Sequence, residues 1–203
     1  MLRIGLTGGL ASGKSFVGEI LSELGCFLIR ADELGHEAIE PGGPAYDAVI
    51  QEFGNEIAMP DGTIDRKKVA ALVFNNPERL AKLAALVHPP VRAKTDALLT
   101  EFQAKEPNGI AVVEAAILIE TGRYRDFDRL ILATCKPELQ LERAMARDHA
   151  TREEAQDRMK RQMPLEETLR FANYVIDTSG TKEETTSKVR DLHQKLRQIA
   201  GQS

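Results

Sequence analysis

The chain has 203 residues, 42% of them hydrophobic and 29% charged, with a formal net charge of −4 at pH 7. That length suits one sizeable core with a small inserted subdomain, so a single domain over residues 1–203 is expected. No apolar run approaches the ~18 residues that a membrane span needs, Cys26 and Cys135 cannot build a disulfide framework, and the acidic balance leaves no broad positive field to steer the chain toward nucleic acid.

Leu2–Thr7 reads as a short buried strand, and Ser15–Leu24 has helical spacing, with Phe16, Ile20 and Leu24 four apart and Gly25 as the stop. Between them, Gly8-Gly9-Leu10-Ala11-Ser12-Gly13-Lys14-Ser15 matches the phosphate-binding pattern G-x-x-x-x-G-K-[ST] in the strand-loop-helix setting that the pattern requires. A glycine-rich loop turns its backbone N–H groups inward around a phosphate, and the helix dipole points at the same place. The expected ligand is the phosphate chain of a nucleotide, bound by Gly9, Leu10, Ala11, Ser12, Gly13, Lys14, Ser15 and Phe16. Lys14 should reach the β- and γ-phosphates as a point charge, and the Ser15 hydroxyl should ligate Mg²⁺. Because residues 1–7 lead straight into this loop, no cleavable signal is expected ahead of the fold, and the cytoplasm is the expected compartment.

Cys26–Ile29 reads as a second parallel strand ending in Arg30-Ala31-Asp32. Ligands of open parallel sheets bind outside the carboxyl ends of the strands, so Asp32 reads equally well as a catalytic acid near the phosphate and as the N-cap of a helix starting near Glu33. Residues 33–106 show helical patterns separated by loops at Pro41–Pro44 and Met59–Gly62, with few strands, and read as an inserted substrate-binding region. Asp65-Arg66 opens one helix; His88-Pro89-Pro90 interrupts another before Val91–Phe102 continues it.

Gly109–Glu114 is the third strand, ending in a carboxylate that orients Mg²⁺ or its water if the loop binds ATP, and that is otherwise a surface acid. Ala115–Glu120 follows as a packed turn or short helix, with Glu120 as a second acid near the cleft. Arg129–Thr134 is the fourth strand, and Pro137 starts a helix through Arg147 on which Arg143 and Arg147, four apart, project from one side. Such a pair could clamp phosphoryl oxygens, with Arg147 on ATP. Thr151-Arg152-Glu153-Glu154 is a capping box opening a helix that carries Arg158 and Arg161 to Gln162, and 141–171 reads either as a mobile cover over a nucleotide or as a solvated basic face. Leu165–Ala172 is a further amphipathic helix, Tyr174–Asp177 the fifth strand, and Thr181-Lys182-Glu183-Glu184 a second capping box before a helix to about Ile199. Residues 178–180 fall where a loop lines an adenine pocket, and Gly201-Gln202-Ser203 should fray. The pattern describes a three-layer α/β phosphate-loop (P-loop) NTPase/kinase fold: a five-stranded parallel sheet built from residues 1–32, 107–140 and 172–200, with the helical insertion and the helical lid.

In this order the motifs resemble the dephospho-coenzyme A kinase family over nearly the whole length. The resemblance rests on Ile4–Gly9 running into Ser12–Ser15, Ala31-Asp32, Phe53-Gly54, Asp61-Gly62 with Asp65-Arg66, Val73-Phe74 and His88-Pro89. It continues through Gln140, Arg143, Arg147 and Asp148, Arg158 with Gln162, and Ala172, Val175–Asp177 and Ser179-Gly180. It implies transfer of the ATP γ-phosphoryl group to the ribose 3′-hydroxyl of dephospho-coenzyme A, the last step of coenzyme A synthesis. By the same resemblance Asp32 would accept or orient the hydroxyl proton, Lys14 and Arg143 would share the catalytic work, and Asp32, Arg66, His88 and Glu114 would hold the acceptor, Glu114 joining Ser15 at the metal. Arg30, Ala11, Phe16, Glu114–Leu118 and Thr178 depart from the commonest family residues, with Glu114 in place of an Asp and Ala11 in place of a Gly. Another phosphate-loop kinase acting on a nucleoside or nucleotide is the alternative, and a nucleotide-dependent switch protein a more distant one. Oligomeric state is not legible from the sequence.

Overall fold

The computed structural model describes residues 1–74 and 76–201; Gln202 and Ser203, for which the sequence predicts fraying, lie outside the described residues. The elements in chain order are β1 (Leu2–Gly8), α1 (Lys14–Glu23), β2 (Phe27–Arg30), α2 (Ala31–Ala38), α3 (Tyr46–Phe53), α4 (Arg66–Phe74), α5 (Pro77–Lys105), β3 (Ile110–Glu114), β4 (Arg129–Thr134), α6 (Pro137–Asp148), α7 (Arg152–Lys160), α8 (Leu165–Thr168), β5 (Tyr174–Asp177) and α9 (Lys182–Ala200). The residues fall into two compact units, 1–30 with 101–203 and 31–100.

The first unit is built on a five-stranded sheet in the order β2-β3-β1-β4-β5, with every pair parallel. The strands are near-continuous apolar runs because both faces of a parallel sheet are covered. On one face Leu2, Ile4 and Leu6 of β1, Ile110 and Val112 of β3, and Ile131 and Ala133 of β4 pack with Val17, Ile20 and Leu21 of α1 and Val189, Leu192 and Leu196 of α9. Glu114 ends β3 in the same alternation as Ile110 and Val112, so its side chain emerges on the α1 face. The register sets Leu6 beside Glu114 and Gly8 beside Ala133, which brings the carboxyl ends of β3 and β4 to the two sides of the loop after β1. Both predicted capping boxes form: Thr151 with Glu154 opens α7, and Thr181 with Glu184 opens α9.

The second unit carries α2, α3, α4 and most of α5, with an isolated antiparallel bridge between Ala58 and Ile64 around the turn at Met59–Gly62. Asp65 caps α4 by accepting from the N–H groups of Lys67 and Lys68 at 3.0 and 3.1 Å. Among the buried side chains of this unit are Val49, Phe53, Ile57, Ile64 and Val69.

Two expectations are corrected. His88-Pro89-Pro90 does not interrupt its helix: α5 runs unbroken for 29 residues with both prolines inside it. The prolines bring no N–H to the carbonyls of Ala85 and Leu86, but Val91, Thr95 and Leu99, spaced four apart and all buried, hold the following turns in register. The helix at Leu165 is shorter than its amphipathic pattern predicts. It stops at Thr168, and Arg170, Phe171 and Ala172 donate to carbonyls three residues back, a tightened tail that leads into β5.

Candidate active site

The loop between β1 and α1 is a tight anion cradle. Ala11 and Gly13 both adopt left-handed backbone conformations, with φ of 54° and 84°, and the Ser12 N–H donates to the Gly9 carbonyl at 3.1 Å. Gly13 is doubly required, because a Cβ there would also lie 2.7 Å from Thr178 Oγ1. Ala11 accepts a conformation that glycine adopts without strain, at a cost of roughly 1 kcal/mol. The first helical bond of α1 runs from the Val17 N–H to the Gly13 carbonyl, so the N–H groups of Lys14, Ser15 and Phe16 sit ahead of it at the positive end of the helix. The Phe16 ring itself packs on the core, with Lys182 Nζ 5.8 Å from its centroid.

Lys14, Ser15 and Glu114 converge at this cradle. Lys14 Nζ lies 3.1 Å from Glu114 Oε1, and the Ser15 hydroxyl donates to the same oxygen at 2.6 Å. Glu114 is only 3% exposed, and its Oε2 is buried without a hydrogen-bond partner, with Arg30 Nε 3.8 Å away. The Ser12 hydroxyl is likewise buried and unsatisfied. Hard oxygen donors with spare capacity beside a fixed ammonium are a donor set suited to Mg²⁺ and phosphate oxygens. Among the described residues no group of three or more His, Cys, Asp or Glu could hold a metal, so an ion here would depend on Ser15, Glu114, water and phosphate.

The loop is braced from two sides. Thr178, just after β5, donates its hydroxyl to the Ser12 carbonyl at 2.9 Å, and Arg143 donates to Thr178 Oγ1 and O at 3.0 and 2.9 Å. From the segments after β4, Gln162 in the turn after α7 accepts through Oε1 from the Leu10 N–H at 2.7 Å, and a Cβ at Gly9 would come within 2.7 Å of Nε2 of Gln140 on α6. Beside the loop lies a cavity of ≈ 280 Å³ whose walls include Gly8, Gly9, Glu120, Gln140, Gln162 and Thr168. Arg143 and Arg147 share α6, yet they take different partners. Arg143 turns to Thr178, whereas Arg147 hydrogen-bonds Asp148, which also receives Arg158. The Arg147 hydrogen bond pulls the Asp148 carboxyl below its ordinary pKa, with the charges of Arg147 and Arg158 adding to it.

In the second unit, Asp32 is exposed in the first turn of α2. The helix starts at Ala31, one residue earlier, so Asp32 is not its N-cap, although its charge suits the positive helix end. The Arg66 guanidinium donates to His36 Nε2, which places the His36 proton on Nδ1. Burial, then the Arg66 charge, lowers the His36 pKa, against the opposing charges of Asp32, Glu33 and Glu40. His88 lies exposed on α5. His36, Thr178 and the two glutamines are the contacts that residue-by-residue reading passes over. Only the resemblance draws attention to Gln140 and Gln162, position 178 is marked by its place after the fifth strand but not for this contact, and the four-residue spacing from Asp32 is the available signal for His36.

Parallel strands in the order 2-3-1-4-5, a phosphate loop after the central strand and an acid at the end of its neighbour define an α/β phosphate-loop kinase fold. The family model for dephospho-CoA kinase matches residues 2–184. A dephospho-CoA kinase of Geobacter metallireducens is 43% identical over 189 residues, 93% of this chain and 94% of that protein. Among solved structures, TT1252 from Thermus thermophilus aligns with a TM-score of 0.78 at 32% identity, covering 96% of this chain and 97% of that one. The dephospho-CoA kinase from Campylobacter jejuni aligns at 0.61 and 26% identity, covering 96% of each chain. The chain belongs to the dephospho-CoA kinase family and is an ATP-dependent phosphotransferase. No helix among the described residues is long and apolar enough to cross a membrane.

Proposed function

We propose that the chain transfers the γ-phosphoryl group of ATP to the ribose 3′-hydroxyl of dephospho-coenzyme A, and that the convergence of Lys14, Ser15 and Glu114 at the end of β1 and β3 is where the triphosphate is held. Family membership supports the substrate; the cradle geometry supports the division of labour. The N–H groups of Lys14, Ser15 and Phe16 at the start of α1 face the phosphate chain, whereas those of Leu10 and Ser12 are engaged by Gln162 and Gly9 and shape the loop, and Lys14 exchanges its contact with Glu114 for phosphate oxygens. Ser15 and Glu114 are the residues that would hold Mg²⁺, which when bound supplies charge neutralisation on the β- and γ-oxygens. Arg143, fixed by Thr178, adds positive charge beside the loop, and Arg147 approaches ATP only after leaving Asp148. Asp32 accepts or orients the acceptor hydroxyl proton, and Arg66 and His88 are acceptor-binding residues of the insertion.

The region around 141–171 acts as the lid of the domain and 33–106 as its acceptor-binding insertion. Gln162 of the lid accepts from the Leu10 N–H, a contact on which closure can seat, and a closed lid would keep water from the reacting phosphate. Both cysteines are free and buried, which accords with a cytoplasmic enzyme. Replacing Lys14 with Ala tests the assignment: turnover should fall by roughly 10²-fold or more, the scale of one lost electrostatic donor. A Lys14→Ala enzyme with wild-type kcat would remove Lys14 from the mechanism.

A further inference from the structure

Gly18 sits inside α1 and is buried, a position where glycine is among the poorest helix formers and where no positive φ requires it. Its surroundings supply a reason. A Cβ at Gly18 would lie 2.9 Å from Glu114 Oε2 and 3.4 Å from the methyl carbons Leu28 Cδ1 and Leu6 Cδ2. The carboxylate has little freedom to yield, because Oε1 is held by Ser15 and Lys14 while the residue is 3% exposed. An aspartate at 114, one methylene shorter, would withdraw from both Gly18 and the phosphate loop.

We infer that Gly18 is a positioning residue: the absence of its side chain makes the space in which the long arm of Glu114 lies across α1 with its carboxylate on Lys14 and Ser15. Gly18 is buried inside α1, beyond the phosphate loop, and offers no side chain to a ligand. It acts through Glu114, and the inference rests on the proposed role of Glu114 in holding Mg²⁺ and phosphate. Gly18→Ala would rotate or push back the carboxylate, uncoupling it from Ser15, while improving the intrinsic helicity of α1.

The test compares wild type, Gly18→Ala, Glu114→Asp, the double variant and Glu114→Gln. The measurements are kcat, KM for ATP, the calorimetric Kd for ATP with and without Mg²⁺, and Tm. Gly18→Ala should keep or raise Tm while kcat drops roughly tenfold, the scale of disturbing a group that orients a ligand. The gain in ATP affinity that Mg²⁺ brings should shrink by a similar factor. In the Glu114→Asp background the same substitution should cost less than about twofold, because no carboxylate occupies the space. Should Gly18→Ala fail to fold while the double variant folds, the clash with Glu114 is shown directly. The inference is overturned if Gly18→Ala leaves kcat and the Mg²⁺ effect unchanged, if it costs the same factor in both backgrounds, or if the single and the double variant both fail to fold, which would place the constraint at Leu6 and Leu28. Glu114→Gln separates the two levels: wild-type kcat and Mg²⁺ dependence in that variant would overturn the proposed role of Glu114 itself and the inference with it.

Discussion

Thr178→Val is the sharpest probe of how the phosphate loop is held. Valine has nearly the shape of threonine, and Thr178 is 2% exposed, so the substitution leaves no cavity and deletes only the hydroxyl. That hydroxyl makes two bonds, donating to the Ser12 carbonyl and accepting from Arg143 Nη1. A neutral buried bond contributes about 0.5–1 kcal/mol and one to a charged group about 1.5–3 kcal/mol, so the loss should lie near 2–4 kcal/mol. The range is not larger because Arg143 keeps its second bond, to the Thr178 backbone carbonyl. If about half of that cost appears as loss of loop preorganisation, KM for ATP rises roughly 5- to 30-fold. Urea unfolding gives the first quantity and initial-rate kinetics the second. Thr178→Ser, which retains the hydroxyl, should recover most of both. A valine variant within about 0.5 kcal/mol of wild type, with KM for ATP changed less than about twofold, would refute the idea that this hydroxyl braces the loop.

Asp32→Asn should reduce kcat while leaving ATP affinity nearly intact, since its proposed partner is the acceptor hydroxyl; weakened ATP binding as the main effect would point instead to the metal. The pH dependence of stability should carry a contribution from His36, whose folded pKa lies below the ordinary 6.5. The unfolded chain then binds the proton more readily, so the contribution is complete above about 6.5 and is lost as the pH falls through the lowered folded value. Urea midpoints measured between about pH 7.5 and about pH 5.5 should fall less steeply for His36→Asn than for wild type, while His193, lowered by burial and by Arg197, keeps its own contribution in both. Parallel slopes would show that His36 is not held neutral.

Much of the fold was legible because its signals are local. Tyr174–Asp177 and Arg129–Thr134 are apolar strand runs bounded by turn residues, and both strands have those limits in the structure. Thr151 and Thr181 announce their helices because a capping box satisfies its own donors without help from the rest of the chain. Signals that depend on tertiary packing mislead or stay silent. Pro89 and Pro90 look like a break, yet the buried row of Val91, Thr95 and Leu99 keeps α5 continuous. Arg143 and Arg147 look like a pair on one face, but Asp148 and Thr178 draw them apart. In the candidate site, the loop motif makes Lys14 and Ser15 visible from spacing alone. Thr178, Gln140 and Gln162 reach that loop from far along the chain and carry no motif of their own. Gly18 is the extreme case, since its meaning lies in an atom of Glu114 that no helical periodicity reveals.

The most direct measurement of the central claim is a coupled assay of ADP release from ATP with dephospho-coenzyme A, compared with a panel of nucleosides and nucleotides, with the phosphorylated position identified by mass spectrometry and phosphorus NMR. Release of ADP matched by a new phosphate on the ribose 3′-oxygen, with little release when the acceptor is withheld, is the predicted result. Equal ADP release with and without dephospho-coenzyme A, or preferential phosphorylation of another acceptor in the panel, would contradict it.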